Sequence, residues 1–445
     1  MKDNFFVKNK SIITFLILEV VALTAFNFGN ISYIFGLAGA LLAIAGFVFC
    51  FMPAKDKKDF LWFLLPVGIL FLISGIGSFN SYSKSFSTLG NLSLFFSLPA
   101  FLVLGFVIRK LEDVKPKTVL FVVGGGLAAI TLFGLFSTMF QYGFFYSLIY
   151  KNTPNYYYNG IPYDVTKEMF WLSGFEFGEV YIEYGSLFAV LCAAFLPGLL
   201  FISPRKERND FIICAAIGVV GLLTLLIIPN LKAILVMALA SSFAFILKYL
   251  KNHKKVQEIL GILLLVVVGL GLIFFIIALA NAASGFKFTG ILDRIFVSNR
   301  VMLKCQPVFE ALFAKVDGKL VNLFGLQSYV YNERVLLTET NIFEVELLKE
   351  VGLIGVVLFL GFVIMMGYFV WKYIKHGKDD DFVKSIVVVM LLTFFAFSTI
   401  YNAVIIAPHN DVSYNQFLRS SSLLVILFLL GYIYRAPSKE EEKHE

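Results

Sequence analysis

Residues 338–362, TETNIFEVELLKEVGLIGVVLFLGF, pass from an acidic stretch directly into a long apolar run. The run continues to residue 374 and carries almost no charge after Glu350. About 20 mostly apolar residues in a helix are enough to cross the hydrocarbon core of a bilayer. The segment therefore predicts a membrane-spanning helix with several carboxylates at one end.

The whole chain shares this apolar character. Of its 445 residues, 59% are hydrophobic and 15% are charged, against about 45–50% and about 25% in soluble domains. The apolar runs are continuous, whereas a membrane β-barrel has short alternating segments. The sequence thus predicts an all-α polytopic membrane protein with about twelve spans. These are residues 11–28, 31–52, 60–79, 89–108, 118–140, 183–203, 210–228, 231–248, 258–280, 350–374, 384–406 and 416–434.

The basic residues predict the orientation of these spans. One set of alternate loops and termini holds 24 of the 37 lysines and arginines, and short loops rich in positive charge face the cytoplasm. Both termini are therefore predicted to be cytoplasmic, and the net charge of +7 reflects topology rather than nucleic-acid binding. The predicted units are 1–280 with nine spans and an outer aromatic loop at 141–182, an outer loop at 281–349, three spans at 350–434, and a cytoplasmic tail at 435–445.

The two long loops are predicted to face outward, where we expect the chemistry. Tyrosine, phenylalanine and tryptophan crowd the loop at 141–182. They fit either an aromatic belt at the membrane interface or a surface for stacking on sugar or isoprenoid. Glu176, Glu179 and Glu183 are spaced to share one helical face. They are either substrate-binding groups or a solvated helix end.

The loop at 281–349 has a helical apolar period from Val301 to Val316 and predicts an amphipathic helix on the outer surface. Arg300 and Lys304 are four residues apart on its polar side. Positive charge is disfavoured in outer loops, and a guanidinium grips phosphate oxygens in paired hydrogen bonds. The outer arginines therefore fit a phosphate or pyrophosphate partner, and equally fit ion pairs with nearby carboxylates or lipid headgroups. They are Arg294, Arg300, Arg334 and Arg419.

Three ordered stretches resemble the O-antigen ligase and O-antigen polymerase family of membrane proteins. In residues 227–247, IIPNLKAILVMALASSFAFIL, Lys232 stands where the family has an arginine. In residues 298–331, SNRVMLKCQPVFEALFAKVDGKLVNLFGLQSYVY, Arg300 and Gly325 match the family's arginine and glycine. The third stretch runs from Asn341 through the two glutamates of the family pattern to Gly-Leu-Ile-Gly at 352–355.

One departure favours the polymerase branch of that family. The ligase branch has a functional histidine where this chain has Thr340. Polymerases often have acidic residues there and a histidine in the last outer loop, where IIAPHNDVSYNQFLRSS supplies His409. The resemblance implies a GT-C-like membrane fold with the active site on the outer face of the cytoplasmic membrane. The alternatives are an O-antigen-type ligase and a flippase or transporter for lipid-linked oligosaccharides.

The resemblance also implies the reaction and the partners. The enzyme would transfer a saccharide from an isoprenoid-pyrophosphate donor to a sugar hydroxyl of a lipid-linked acceptor, with inversion and without a metal or cofactor. A flippase and a chain-length regulator are implied partner proteins, and nucleic acid is not expected. The expected catalytic residues are His409, Arg300, Glu339 and Glu344. The expected substrate-binding residues are Lys232, Arg294, Lys304, Arg334, Arg419, Glu176 and Glu179.

Two acidic stretches complete the prediction. On one continuous helix, Glu346 and Glu350 would each lie within about 20° of Glu339, and Glu344 would lie about 140° away from it. The first three would then face the outer cations, and Glu344 would face another surface. Asp379, Asp380 and Asp381 lie in a predicted cytoplasmic loop, and their expected environment is a solvated turn.

Overall fold

A computed structural model describes the parts of the chain that carry most of the predicted spans. The residues it describes are 57–80, 89–110, 115–142, 156–158, 161–163, 182–227, 231–249, 315–316, 319–320, 323, 343–376, 379–400 and 413–434. Within these ranges the chain is helical apart from turns and two short hairpins. The all-α fold class is therefore confirmed for this part of the protein.

Nine α-helices, one 3₁₀ helix and four short strands make up the described part of the chain. The helices are α1 Lys57–Asn80, α2 Leu89–Lys110, α3 Pro116–Tyr142, α4 Ile182–Ala193, a 3₁₀ helix Pro197–Phe201, α5 Arg208–Ile227, α6 Leu231–Tyr249, α7 Phe343–His376, α8 Asp381–Ile400 and α9 Ser413–Ile433. The strands are β1 Tyr156–Tyr158, β2 Ile161–Tyr163, β3 Lys315–Val316 and β4 Lys319–Leu320.

Helices occupy each of the predicted spans that falls on described residues. Two stretches, Arg208–Leu226 and Val351–Lys375, are long and apolar enough by themselves to cross a membrane. Others are shorter apolar helices, such as Trp62–Ile73 and Leu423–Ile433. The predicted spans at 11–28, 31–52 and 258–280 lie outside the described residues. The count of twelve spans therefore stays a prediction.

One predicted span is wrong as a single helix. Residues 183–203 were expected to be continuous, but α4 ends at Ala193 and a 3₁₀ helix begins at Pro197. Proline has no N–H to continue the helix, and its ring clashes with the carbonyl of the preceding turn. The carbonyl of Ala193, four residues before Pro197, accepts instead from the N–H of Leu196 at 3.0 Å.

The helix predicted over residues 301–316 is wrong at its end. Val316 lies in β3, and it pairs with Lys319 of β4 in an antiparallel hairpin; residues 301–314 lie outside the described part. The outer aromatic loop also contains a hairpin, in which Tyr158 pairs with Ile161. The sequences between the strands are Asp-Gly and Asn-Gly, which are the pairs most favoured in two-residue hairpin loops.

The closest helix packing joins α2 and α9, and it depends on two glycines. A Cβ added at Gly105 would collide with the backbone carbonyl of Phe428, and one at Gly431 would collide with that of Leu102. Small residues allow this close approach between the backbones of membrane helices. The residues around the glycines are fully buried, including Phe101, Phe106 and Phe428.

Alanine at Gly105 or Gly431 is therefore expected to destabilise the bundle by about 1–3 kcal/mol, the usual cost of overpacking. Gly68 is the matched control, because a Cβ there meets nothing within 4 Å. The midpoint of thermal unfolding in detergent measures the effect. Equal midpoints for Gly431→Ala and Gly68→Ala would show that the helices do not pack as described.

Contacts between neighbouring helices place one set of helix ends at the same end of the bundle, which we call the basic end. The start of α1 meets the end of α9 through Phe63 and Tyr434, with ring centroids 4.9 Å apart. The end of α2 meets the α7–α8 turn through Arg109 and Asp379. Lys117, at the start of α3, reaches Glu207, just before α5. These are the helix ends whose loops carry the excess of lysine and arginine in the sequence.

Apolar side chains cover much of the outer surface of the bundle. Leu239, Val357 and Ile364 are each about 70% exposed, as expected for side chains that face lipid rather than water. Near the basic end, Trp62 and Trp371 are about half exposed, and tryptophan is enriched where a bilayer meets water. The described surface thus fits a bundle surrounded by lipid.

Candidate functional site

The predicted site residues fall into two groups in the structure. The backbones of Lys232, Glu344 and Arg419 are described, and all three lie near the starts of α6, α7 and α9. Those helices end at the basic end, so these three positions lie at the opposite end, which we call the outer end. The other predicted site residues lie outside the described part: Glu176, Glu179, Arg294, Arg300, Lys304, Arg334, Glu339 and His409.

A backbone break at Gly352 separates the acidic start of α7 from its apolar remainder. Gly352 has φ 68° and ψ −169°, a combination that is essentially restricted to glycine. Helical hydrogen bonding is interrupted there, and the N–H of Ile354 donates instead to the carbonyl of Leu323 at 3.1 Å. Leu323 belongs to the long loop that contains Arg300 and Gly325. The break therefore attaches that loop to α7.

The second glycine of Gly-Leu-Ile-Gly has a different physical reason. A Cβ at Gly355 would collide with the side chain of Val351, which is fully buried one turn earlier. Gly361 and Gly367, farther along α7, have open space where a Cβ would stand. Among the glycines of α7, only the two of the motif are thus required by the local structure, and both lie at the outer end.

The break revises the predicted carboxylate stripe. The described helix begins at Phe343, and Glu339 lies outside the described residues. Glu346 and Glu350 share the short helical segment before Gly352, and a step of four residues places them about 40° apart. The stripe is therefore supported only for Glu346 and Glu350.

A polar cluster at the basic end overturns the expectation that Asp379 is solvated. Its side chain is only 5% exposed, and one carboxylate oxygen lies 2.9 Å from the Arg109 guanidinium. The other oxygen accepts a hydrogen bond from the Tyr373 hydroxyl at 2.7 Å. Asp380 beside it is exposed, as expected of a solvated turn.

Arg109 joins this cluster to α9. Its guanidinium donates to the Tyr432 hydroxyl at 3.1 Å and lies 5.0 Å from the centre of that ring. Tyr373, Asp379, Arg109 and Tyr432 thus form a continuous chain of polar contacts, which we call the inner cluster. The charges in it are paired, so it ties α2, α7 and α9 to the start of α8 rather than offering a reactive group.

The inner cluster was missed in the sequence, and it is remote from the predicted chemistry. From Gly352 to Tyr373 is 21 residues of α7, or about 30 Å along the helix axis. No local spacing pattern could reveal the network, because Arg109 and Tyr432 are 323 positions apart. We therefore infer that the inner cluster stabilises the fold. The candidate catalytic site remains the outer end.

A second charged cluster also lies at the basic end. The Lys117 ammonium donates to the Glu207 carboxylate and lies 3.4 Å from the Asp210 carboxylate. Burial alone works to lower the pKa of Lys117, but these hydrogen bonds outweigh it, and the pKa is raised. The hydrogen bond from Lys117 lowers the pKa of the Glu207 carboxyl. The cluster joins the starts of α3 and α5.

Glu207→Gln is expected to lower stability at pH 7 by no more than about 1 kcal/mol, because the pair is partly exposed. The folded pKa of Glu207 lies below the ordinary 4.5, so the contribution is complete above that value. It is lost as the pH falls through the folded pKa. The difference in unfolding midpoint between wild type and Glu207→Gln should shrink between about pH 7 and about pH 3. A difference that stays constant would contradict the pairing.

The described residues include no candidate metal site. Within the described ranges, no group of three histidine, cysteine, aspartate or glutamate side chains could hold a metal ion. The two cysteines described, Cys192 and Cys214, are buried and free. The sequence predicts neither a metal nor a cofactor, and that expectation stays a prediction.

Comparison with protein-family models, with curated proteins and with solved structures gives no match in any of the three. The family resemblance therefore depends on the motif residues of this chain alone.

Proposed function

We propose that the chain is a membrane glycosyltransferase that polymerises a surface polysaccharide. It transfers a saccharide from an isoprenoid-pyrophosphate donor to a sugar hydroxyl of a lipid-linked acceptor, on the outer face of the cytoplasmic membrane. Its twelve spans leave both termini in the cytoplasm. The observation that carries the proposal is the hydrogen bond from Ile354 to Leu323 at the Gly352 break.

That hydrogen bond supports the proposal because it joins two of the three motif stretches. Leu323 lies between Arg300 and Arg334 in the cationic loop, and Ile354 follows the acidic start of α7. Lys232 and Arg419 have their backbones near the starts of α6 and α9, at the same end of the bundle. The proposal is supported by the backbone positions of Lys232, Arg419 and the acidic start of α7, which lie at the same end of the bundle.

The chemistry divides between the cations and one base. As the bond between the sugar C1 and the pyrophosphate oxygen breaks, its electron pair stays on that oxygen. Arg300, with Lys232, Arg294 and Arg419, stabilises the developing charge. The acceptor hydroxyl attacks C1 from the opposite face and gives its proton to His409, whose ordinary pKa near 6.5 suits a base. Glu339 and Glu344 are the alternative bases.

Deletion of the chain from its host tests the reaction class. We expect cells without it to lack long polymer and to accumulate single lipid-linked repeat units on the outer face of the membrane. Repeat units held on the cytoplasmic face would instead identify a flippase. Free polymer of normal length that is not attached to its final acceptor would identify a ligase.

A further inference from the structure

The loop between the 3₁₀ helix and α5 carries mixed charges in the sequence. Residues 203–210 read SPRKERND, with three cations and two carboxylates. The structure fixes this turn by backbone hydrogen bonds, in which the N–H groups of Lys206 and Glu207 donate to the Ser203 carbonyl at 3.1 and 2.9 Å. The charges of the loop are therefore held on an ordered backbone.

The two carboxylates of this loop are paired with a cation of another helix. Glu207 and Asp210 both bind Lys117 of α3, and the same ammonium lies 5.6 Å from the ring centre of Phe382. Both negative charges of a loop that is nearly neutral in the sequence are thus paired with α3. Its cations are left facing outward.

Arg205, Lys206 and Arg208 are exposed, and we call them the basic patch. Within the residues that the structure describes, none of the three forms an ion pair. Lys248 of α6 adds a fourth cation nearby, because its ammonium lies 5.3 Å from the ring centre of Phe201, four residues before Arg205. The basic end therefore carries a local excess of positive charge on this side.

The surface next to the patch is apolar. Ile212 and Ile213, one turn into α5, are 52% and 42% exposed, and Ile212 lies about 40° around the helix from Arg208. Exposed Val219, Leu223 and Leu226 continue the apolar surface along α5. The cations match the phospholipid headgroup, and the apolar side chains below them match its acyl chains. Nucleic acid and free phosphate have no apolar chains that would contact the apolar side chains of α5.

We propose that the basic patch binds anionic phospholipid headgroups of the membrane leaflet at the basic end. The inference depends on the proposed membrane placement and does not depend on the transferase reaction. Each lysine or arginine near an anionic lipid surface contributes enough to change the affinity about fivefold. The lipids held here would stabilise the α3–α5 side of the bundle.

The test is binding of fluorescent phosphatidylglycerol and phosphatidylcholine to the purified full chain in detergent. We expect the wild-type chain to prefer phosphatidylglycerol, and the variant R205Q/K206Q/R208Q to lose about 100-fold in affinity for it. The control R205K/R208K keeps the charge and should bind as the wild type does. If the triple variant does not fold, the pair R205Q/K206Q serves in its place, with an expected loss of about 25-fold.

Three results would overturn the proposal. They are equal binding of the two lipids by the wild-type chain, unchanged binding by the folded triple variant, and displacement of the lipid by millimolar inorganic phosphate, which would indicate a simple phosphate site. Failure of this proposal can be distinguished from failure of the enzymatic one, because lipid binding is measured without reference to polymer. The patch is remote from the outer end, so cells that carry the triple variant can lose polymer only through weaker stability of the protein.

Discussion

Alanine at Gly352 is expected to destabilise the protein by about 1–3 kcal/mol and to reduce polymer formation more than alanine at Gly361 or Gly367 of α7. Gly352 has a positive φ with extended ψ, a conformation in which a Cβ is strained. The variant can relieve the strain only by straightening α7. Straightening would restore the helical hydrogen bond of Ile354 and release the Leu323 carbonyl, so the cationic loop would lose its attachment.

Gly361→Ala is the matched control for this prediction. Gly361 is in the same helix, and a Cβ there meets nothing within 4 Å, so alanine should be neutral or slightly stabilising, by up to about 1 kcal/mol. The measurements are the midpoint of thermal unfolding in detergent and the polymer made by cells at equal protein levels. If Gly352→Ala behaves like Gly361→Ala in both, the break is not part of the native structure.

The second large effect is expected for Asp379→Asn. The variant keeps the size of the side chain but removes the charge opposite Arg109, which leaves a largely buried guanidinium without its counter-ion. Breaking one side of a buried ion pair costs about 3–5 kcal/mol. Because the Arg109 side chain is 27% exposed and water reaches it in part, we expect about 3 kcal/mol.

Asp380→Asn is the control, since Asp380 is the exposed neighbour in the same turn and should change stability by less than about 0.5 kcal/mol. The double variant Arg109→Gln/Asp379→Asn should recover part of the loss, because no unpaired charge remains. Thermal unfolding of the wild type, Arg109→Gln, Asp379→Asn and the double variant measures the coupling between Arg109 and Asp379. Additive losses from Arg109→Gln and Asp379→Asn would contradict the ion pair.

The helices could be predicted because hydropathy is a local property of the sequence. The apolar run 210–228 is helical from Arg208 to Ile227, and the run 350–374 lies entirely within α7. The break at Pro197 and the two hairpins were missed although the sequence contains their signals. Those signals are a proline after α4, and Asn-Gly and Asp-Gly between the paired strands. Apolar content hid the turn chemistry at 183–203, and an apolar helical period hid it at the end of 301–316.

The polar clusters could not be predicted, because they depend on which helices are neighbours. Asp379 pairs with Arg109 across most of the chain, and a run of three aspartates shows nothing of that partner. Gly-Leu-Ile-Gly was recognised as a motif, but the positive φ of Gly352 and the acceptor at Leu323 appear only in the structure. The catalytic assignments to Arg300 and His409 stay predictions from residue type and position.

The central claim is that a cation and a base at the outer end perform the transfer. The most direct test is the pool of lipid-linked saccharide in cells whose only copy carries Arg300→Ala or His409→Ala, at normal protein level. His376→Ala is the control, because His376 ends α7 at the opposite end of the bundle. We expect both site variants to lose polymer and accumulate single lipid-linked repeat units while the control polymerises normally. Normal polymer in both site variants would contradict the proposed site.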